Sequence, residues 1–266
     1  MNTPPLEFLE KWPKIGLAER ISTLIRTILR ARKYRASFEA QELKALFEFM
    51  PPGGCAIDIG AYKGAWTYWM QEIAGKKWKV VAFEPQFDAV SQLRKIQSIF
   101  NWSQVCIEPS GVWEKNCLLP LYRELRVNSP SQWAQFESTH TDMKCIGHVS
   151  VVQLDDYKTK NKIPRINFIK IDAEGFERKI IHWAKGIFRE DRPTIVVECD
   201  ANFVGDREQQ LFFREMKEFW YEWYFFTKNG RQHIDDFDYK KHQRNDLPKW
   251  LSDPAYYNNF LFTPQK

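Results

Sequence analysis

Three short stretches of this 266-residue chain put carboxylates and glycines where an apolar run gives way to a helical pattern. In CAIDIGAYKG, Cys55 to Gly64, a strand-like run leads into Asp58, then Gly60, with Gly64 at the mouth of a helix. Gly60 lets the backbone turn sharply and approach a ligand without a Cβ in the way, and Gly64 opens a helix whose N-terminus can face a nucleotide-like group. Asp58 is placed to receive donors from the turn or from a ligand. VVAFEP then sets Glu84 at the end of the next apolar run, where a carboxylate can accept both hydroxyls of a ribose. Taken alone, Glu84 reads as a solvated strand-end charge; the glycine turn upstream is what points to a shared ligand.

The third stretch is INFIKIDAEGFERKIIHWA, Ile166 to Ala184, with Asp172, Glu174 and Gly175 between strand and helix. Ligands of open α/β sheets sit outside the carboxyl ends of the strands, so Asp172 and Glu174 are expected beside the crevice of Gly60 and Glu84. Acidic groups at a helix start also cap free N–H groups, so Asp172 divides evenly between helix cap and catalytic group. Glu198, ending IVVE, is a further candidate of the same kind. A dinucleotide site would prefer G-x-G-x-x-G, its middle glycine making room for a pyrophosphate. Here Tyr62 stands at that position. S-adenosylmethionine carries no pyrophosphate, so the pattern favours this methyl donor over NAD.

The elements that must position these residues follow from periodicity. Strands are expected at Cys55–Ile59, Lys79–Phe83, Gln104–Ile107, Ile166–Ile171 and Thr194–Val197, and helices near Ala65–Ile73, Asp88–Phe100, Glu177–Trp183 and Arg207–Trp220. That alternation predicts an α/β, Rossmann-like fold with a mainly parallel sheet. Leu118–Tyr122 and His148–Leu154 read as additional strands around a polar loop, Arg123 to Met143, long enough to be suspected of function. Its Trp133 and Phe136 could stack on an acceptor or tuck into the core. Glu222–Thr227 and Asn259–Thr263 are expected to close the sheet as a C-terminal antiparallel strand pair, with a turn at Lys228–Gly230.

Upstream, residues 1–50 read as an N-terminal helical extension and residues 51–266 as the main domain, divided by the turn signal Pro51-Pro52-Gly53-Gly54. Lys11 to Arg35 holds eight basic residues against Glu19 alone, while the whole chain is only +5. A local excess of this kind does not describe a face that tracks a phosphate backbone, so no nucleic-acid partner is expected. Ile21, Leu24, Ile25, Ile28 and Leu29 form one helical stripe, which is expected to pack on the catalytic domain as a lid. Attachment to an anionic membrane is the minority reading. A second helix is expected at about Phe38–Phe49. No apolar run is long enough to cross a bilayer, and the first residues lack a signal-peptide pattern, so a cytoplasmic protein is expected. The cysteines are scattered and form no C-x-x-C pair, indicating neither disulfides nor zinc; no metal site is expected.

DIGAYKG, AFEP, EPSGVWE (Glu108 to Glu114), LDDY (Leu154 to Tyr157), FIKIDAEGFE and PTIVVE together resemble the ordered motifs of FkbM-type methyltransferases. The resemblance runs from Pro51 to Asp200 and, more loosely, includes the terminal NFLFT. It is carried by the D-x-E-G after the fourth strand combined with the E-P after the second. It implies a class I, S-adenosylmethionine-dependent methyltransferase acting on hydroxyls of saccharides or secondary metabolites. By that analogy Asp58, Gly60 and Gly64 shape the donor site, Glu84 holds the ribose, Ser110, Gly111 and Val112 lie beside the adenine, and Asp172 faces the reacting centre with Glu174. Tyr62 and Lys63 depart from the family's usual asparagine followed by a smaller residue, and Lys63 is placed to pair with the donor's carboxylate. The N-terminal helices fall outside the resemblance and are candidates for setting the acceptor.

The expected chemistry is an in-line displacement in which the protein aligns acceptor and methyl, with Asp172 as general base and His140, His148 and His182 in reserve. A nicotinamide oxidoreductase on the same fold class and a non-catalytic adaptor are the rival readings.

Overall fold

The computed structural model describes residues 15–51, 54–75, 79–124, 134–137, 143–201, 205–243 and 256–265. In chain order these form α1 (Leu17–Lys33), running into a π-helical turn (Tyr34–Phe38), α2 (Ala40–Phe49), β1 (Cys55–Ile59), α3 (Ala65–Ala74), β2 (Lys79–Phe83), α4 (Phe87–Phe100), β3 (Val105–Glu108) and β4 (Ser110–Val112). There follow β5 (Cys117–Glu124), β6 (Ala134–Gln135), β7 (Met143–Val152), α5 (Leu154–Lys160), β8 (Ile166–Ile171), α6 (Glu177–Trp183), α7 (Lys185–Glu190) and β9 (Thr194–Glu198). The chain closes with α8 (Asp206–Glu218), β10 (Tyr221–Thr227), β11 (Gly230–His233), α9 (Tyr239–His242) and β12 (Asn259–Pro264).

β1 is buried at every position, as a strand covered on both faces must be. It lies inside an eight-stranded sheet ordered β11-β10-β12-β9-β8-β1-β2-β3. Strands β3, β2, β1, β8 and β9 run parallel, and β12, β10 and β11 add antiparallel neighbours. The expected antiparallel pair is present as β10 and β12, but the Lys228–Gly230 turn leads into β11, an additional edge strand. Strand order reverses between β1 and β8, which opens a crevice at their carboxyl ends.

Alternate side chains of the sheet enter two cores. On one face Ile57, Ile59, Phe83, Ile169 and Val197 pack with Leu154, Ile180, Phe188 and Phe212 from α5, α6, α7 and α8. On the other, Ala56, Val80, Phe168 and Val196 pack with Leu43 and Leu46 of α2 and with Trp66, Trp69 and Met70 of α3. Helix α2 thus shares a core with the sheet.

Two expectations need correction. The apolar stripe of α1 does not pack inward: Leu17, Ile21, Leu24, Ile25 and Leu29 are exposed, and the buried side chains are Thr23, Thr27 and Ala31. These small side chains let α1 lie close on α3 and α4, where Trp69 Nε1 donates to Ala31 O at 2.8 Å. Periodicity reveals a stripe but not what covers it. The expected strand His148–Leu154 instead runs Met143–Val152, because Leu154 begins α5, capped by the Gln153 side chain, which accepts from Asp156 N. β5 and β7 leave the main sheet and form a second one, ordered β4-β7-β5-β6.

Candidate active site

The β1–α3 turn is held by close backbone packing and by a carboxylate. Gly60 sits at φ +79°, and a Cβ there would lie 1.9 Å from Asp172 O. Only glycine allows both the left-handed backbone and the approach of β1 to the end of β8. Gly64, also left-handed at φ +75°, precedes α3, and its missing Cβ makes room for Leu93. Tyr62 takes a left-handed φ of +45°, uncommon for a bulky residue. Its backbone N–H donates at 2.7 Å to Glu84 Oε2, while Gln86 N donates at 2.8 Å to Glu84 Oε1. Glu84 is therefore no solvated strand-end charge: it is 2% exposed, and burial pushes its carboxyl up to about 7. Each of its oxygens keeps a second lone pair for a ligand.

A single pocket gathers these groups at the carboxyl ends of β1, β2, β8 and β9. Its lining includes Asp58, Gly60, Tyr62, Lys63, Glu84, Gly111, Val112, Asp172, Glu174 and Glu198. Among the predicted site residues Gly64 and Ser110 stand behind the lining, Ser110 buried with no hydrogen-bond partner for Oγ among the described residues. Asp58 is fully buried; its Oδ2 accepts from Thr67 Oγ1 at 2.6 Å, and its Oδ1 has no partner among the described residues. Lys63 Nζ lies 4.6 Å from the centre of the Tyr62 ring.

Lys170 organises the acidic side of this pocket, and nothing in the sequence reading singled it out. It is 5% exposed, and its Nζ donates to Asp172 Oδ2 at 2.7 Å. Burial works against its charge, but Asp172, Glu39 and Asp58 raise its pKa, so it remains an ammonium. Asp172 therefore does not cap α6. Glu177 Oε1 accepts the N–H groups of Ala173 and Gly175 instead, and burial holds that carboxyl up at about 7. Glu174, at a left-handed φ of +51°, and Glu198 both have their pKa values raised, by burial first and then by the negative charge of Asp172.

The N-terminal helices reach the pocket too. Arg30, Tyr34 and Glu39 line it, and Trp66 Nε1 donates to Glu39 Oε2. From the predicted loop, Phe136 lines the pocket beside Gly111 and packs on Trp113 and Phe176 at 5.4 and 5.8 Å between ring centres. Trp133 and His140 lie outside the described residues. His148 is exposed on β7, and His182 of α6 has its Nδ1 2.7 Å from Glu215 Oε1 of α8; neither lines the pocket.

The methyltransferase FkbM domain matches residues 58–240, from the buried aspartate of β1 to the start of α9. This chain belongs to the FkbM methyltransferase family. The family match favours the methyltransferase reading over the oxidoreductase one. No curated protein matches its sequence. An FkbM methyltransferase of Methylobacillus flagellatus is similar in structure at 15% identity and a TM-score of 0.48. The match covers 90% of this chain and 54% of that one, so the chain spans about half of that relative. An O-methyltransferase of Bacillus cereus, in complex with SAH, matches at 12% identity and a TM-score of 0.52, over 98% of this chain and 94% of that one. An O-methyltransferase of tomaymycin synthesis from Streptomyces achromogenes, in complex with SAM, matches at 11% identity and a TM-score of 0.50, over 97% and 93%. The fold is that of class I methyltransferases. Among the described residues no helix is long and apolar enough to cross a membrane, and no group of three or more His, Cys, Asp and Glu could hold a metal ion.

Proposed function

We propose that the pocket binds S-adenosylmethionine and that the chain methylates a hydroxyl of a small-molecule or glycan acceptor. The observation that carries this reading is the pocket's charge: Asp58, Glu84, Asp172, Glu174 and Glu198 converge on it, with Lys170 as the buried cation among them. Such a wall suits a donor that presents a sulfonium, an ammonium and a ribose diol. Asp58 Oδ1, buried in the pocket lining and without a partner among the described residues, is a polar atom that a ligand would satisfy.

S-adenosylmethionine supplies the methyl group as an electrophile bound to sulfur. The residues do the rest. Glu84 accepts the ribose hydroxyls, and the backbone of Tyr62 and Gln86 fixes its plane. Gly111 and Val112 provide a flat apolar surface for the base, and Lys63 pairs with the donor's carboxylate. Asp172, its Oδ2 held by Lys170, would orient the acceptor hydroxyl and take its proton at Oδ1 as the new C–O bond forms and the methyl–sulfur bond breaks, its electron pair leaving on the sulfur. Phe136, Trp113 and Phe176 offer a ring surface to the acceptor.

Supplying donor with a labelled methyl to a panel of saccharide, lipid-linked and macrolide hydroxyls tests the reaction. Label that appears as a methyl on an acceptor oxygen and survives mild base is an ether and supports it. Label found only on nitrogen or carbon, or as a base-labile ester, would overturn hydroxyl methylation.

A further inference from the structure

We propose that the solvent-facing side of α1 is a docking surface for an anionic phospholipid bilayer. Leu17, Ile21, Leu24, Ile25 and Leu29 are 75, 50, 38, 48 and 59% exposed, and their spacing places them on one side of the helix, away from the packed Thr23, Thr27 and Ala31. A contiguous exposed apolar stripe of this kind marks an interaction site, whereas the other exposed large side chains, such as Phe87, Leu118 and Trp220, stand singly on separate elements.

Charge decides the occupant. Arg20 borders the stripe on one flank, Arg26 on the other and Arg32 at its C-terminal end, all exposed. The acid of this helix, Glu19, is engaged by Lys95 of α4 and does not offset them. An apolar stripe rimmed by arginines is the distribution of helices that lie in a bilayer interface, where cations meet lipid phosphates while aliphatic side chains enter the acyl boundary. A second copy of the chain would bring the same arginines against one another. The proposal rests on this face alone and stands or falls apart from the methyl-transfer reading.

The test is co-sedimentation of the full chain with vesicles of phosphatidylcholine alone and of its equimolar mixture with phosphatidylglycerol. Binding to the mixed vesicles only, weakened by salt, is expected. Arg20→Gln/Arg26→Gln/Arg32→Gln should lower the partition coefficient on the order of 100-fold, from the usual contribution of each basic residue at an anionic surface. Ile21→Ser/Ile25→Ser/Leu29→Ser should also lose binding, with the thermal unfolding midpoint of the parent; if it unfolds earlier, Leu17→Ser/Leu24→Ser on the same face replaces it. Absence of binding to the mixed vesicles overturns the proposal. So does binding that survives loss of the aliphatic side chains, which would be nonspecific basic attraction. A dimer in light scattering that the serine variant converts to monomer would assign the face to a second copy.

Discussion

Asp172 and Glu84 have different roles in the proposed reaction, and substitution should separate them. Asp172→Asn keeps an acceptor for Lys170 Nζ but loses the proton acceptor, so the variant should fold and bind S-adenosylhomocysteine normally. Single-turnover transfer should slow about 10²–10⁴-fold, the contribution of a positioned general base; near-normal transfer would move that role to Glu174 or Glu198. Glu84→Gln removes the charged acceptor and should cost about 1.5–3 kcal/mol of donor affinity by calorimetry. The pH dependence has a defined sign. Ribose hydroxyls bind the ionised carboxylate, whose pKa is pushed up to about 7, so the affinity for S-adenosylhomocysteine should weaken as pH falls through that value. In Glu84→Gln that pH dependence should vanish; its persistence would mean that another group binds the proton.

Elements place these residues, and the β1–α3 turn is the least tolerant of them. Gly60→Ala would force a Cβ to within 1.9 Å of a backbone carbonyl at a left-handed φ. Strain alone costs about 1–3 kcal/mol, and the clash must also part β1 from β8. A fall in the denaturation midpoint together with lost donor binding is expected; a variant stable and binding like the parent would refute the turn's role. The strands carrying Asp58, Glu84, Asp172 and Glu198 were legible because buried parallel strands are short apolar runs and their ends carry glycine or acid. The burial of Lys170 was not legible, since its charge is stabilised not only by Asp172 two residues on but by Glu39 and Asp58, which arrive from other elements. Nor was the orientation of α1, where Thr23, Thr27 and Ala31 pack and the aliphatic stripe does not. Periodicity likewise found β5 and β7 but could not assign them to a second sheet, because pairing partners are set in space.

At the scale of the whole molecule, the buried carboxyls set how stability depends on pH. Glu42, Glu84 and Glu177 have folded pKa values of about 7, raised by burial above the ordinary glutamate value. A raised folded pKa contributes stability that is present below the unfolded value and lost as pH rises through the folded one. Without ligand the thermal midpoint should therefore fall as pH rises from about 4.5 to about 7, the window bounded by those values; a midpoint that rises there would contradict the burial of these groups. The α/β frame, the N-terminal helices and the second sheet all converge on one pocket. There, we propose, a sulfonium methyl donor binds. Thermal unfolding of the full chain with S-adenosylhomocysteine or NAD tests it most directly. S-adenosylhomocysteine at a hundredfold excess over its Kd should add about 2.7 kcal/mol of stability, and NAD none. Equal stabilisation by NAD, or no response to S-adenosylhomocysteine at any concentration, would contradict the account.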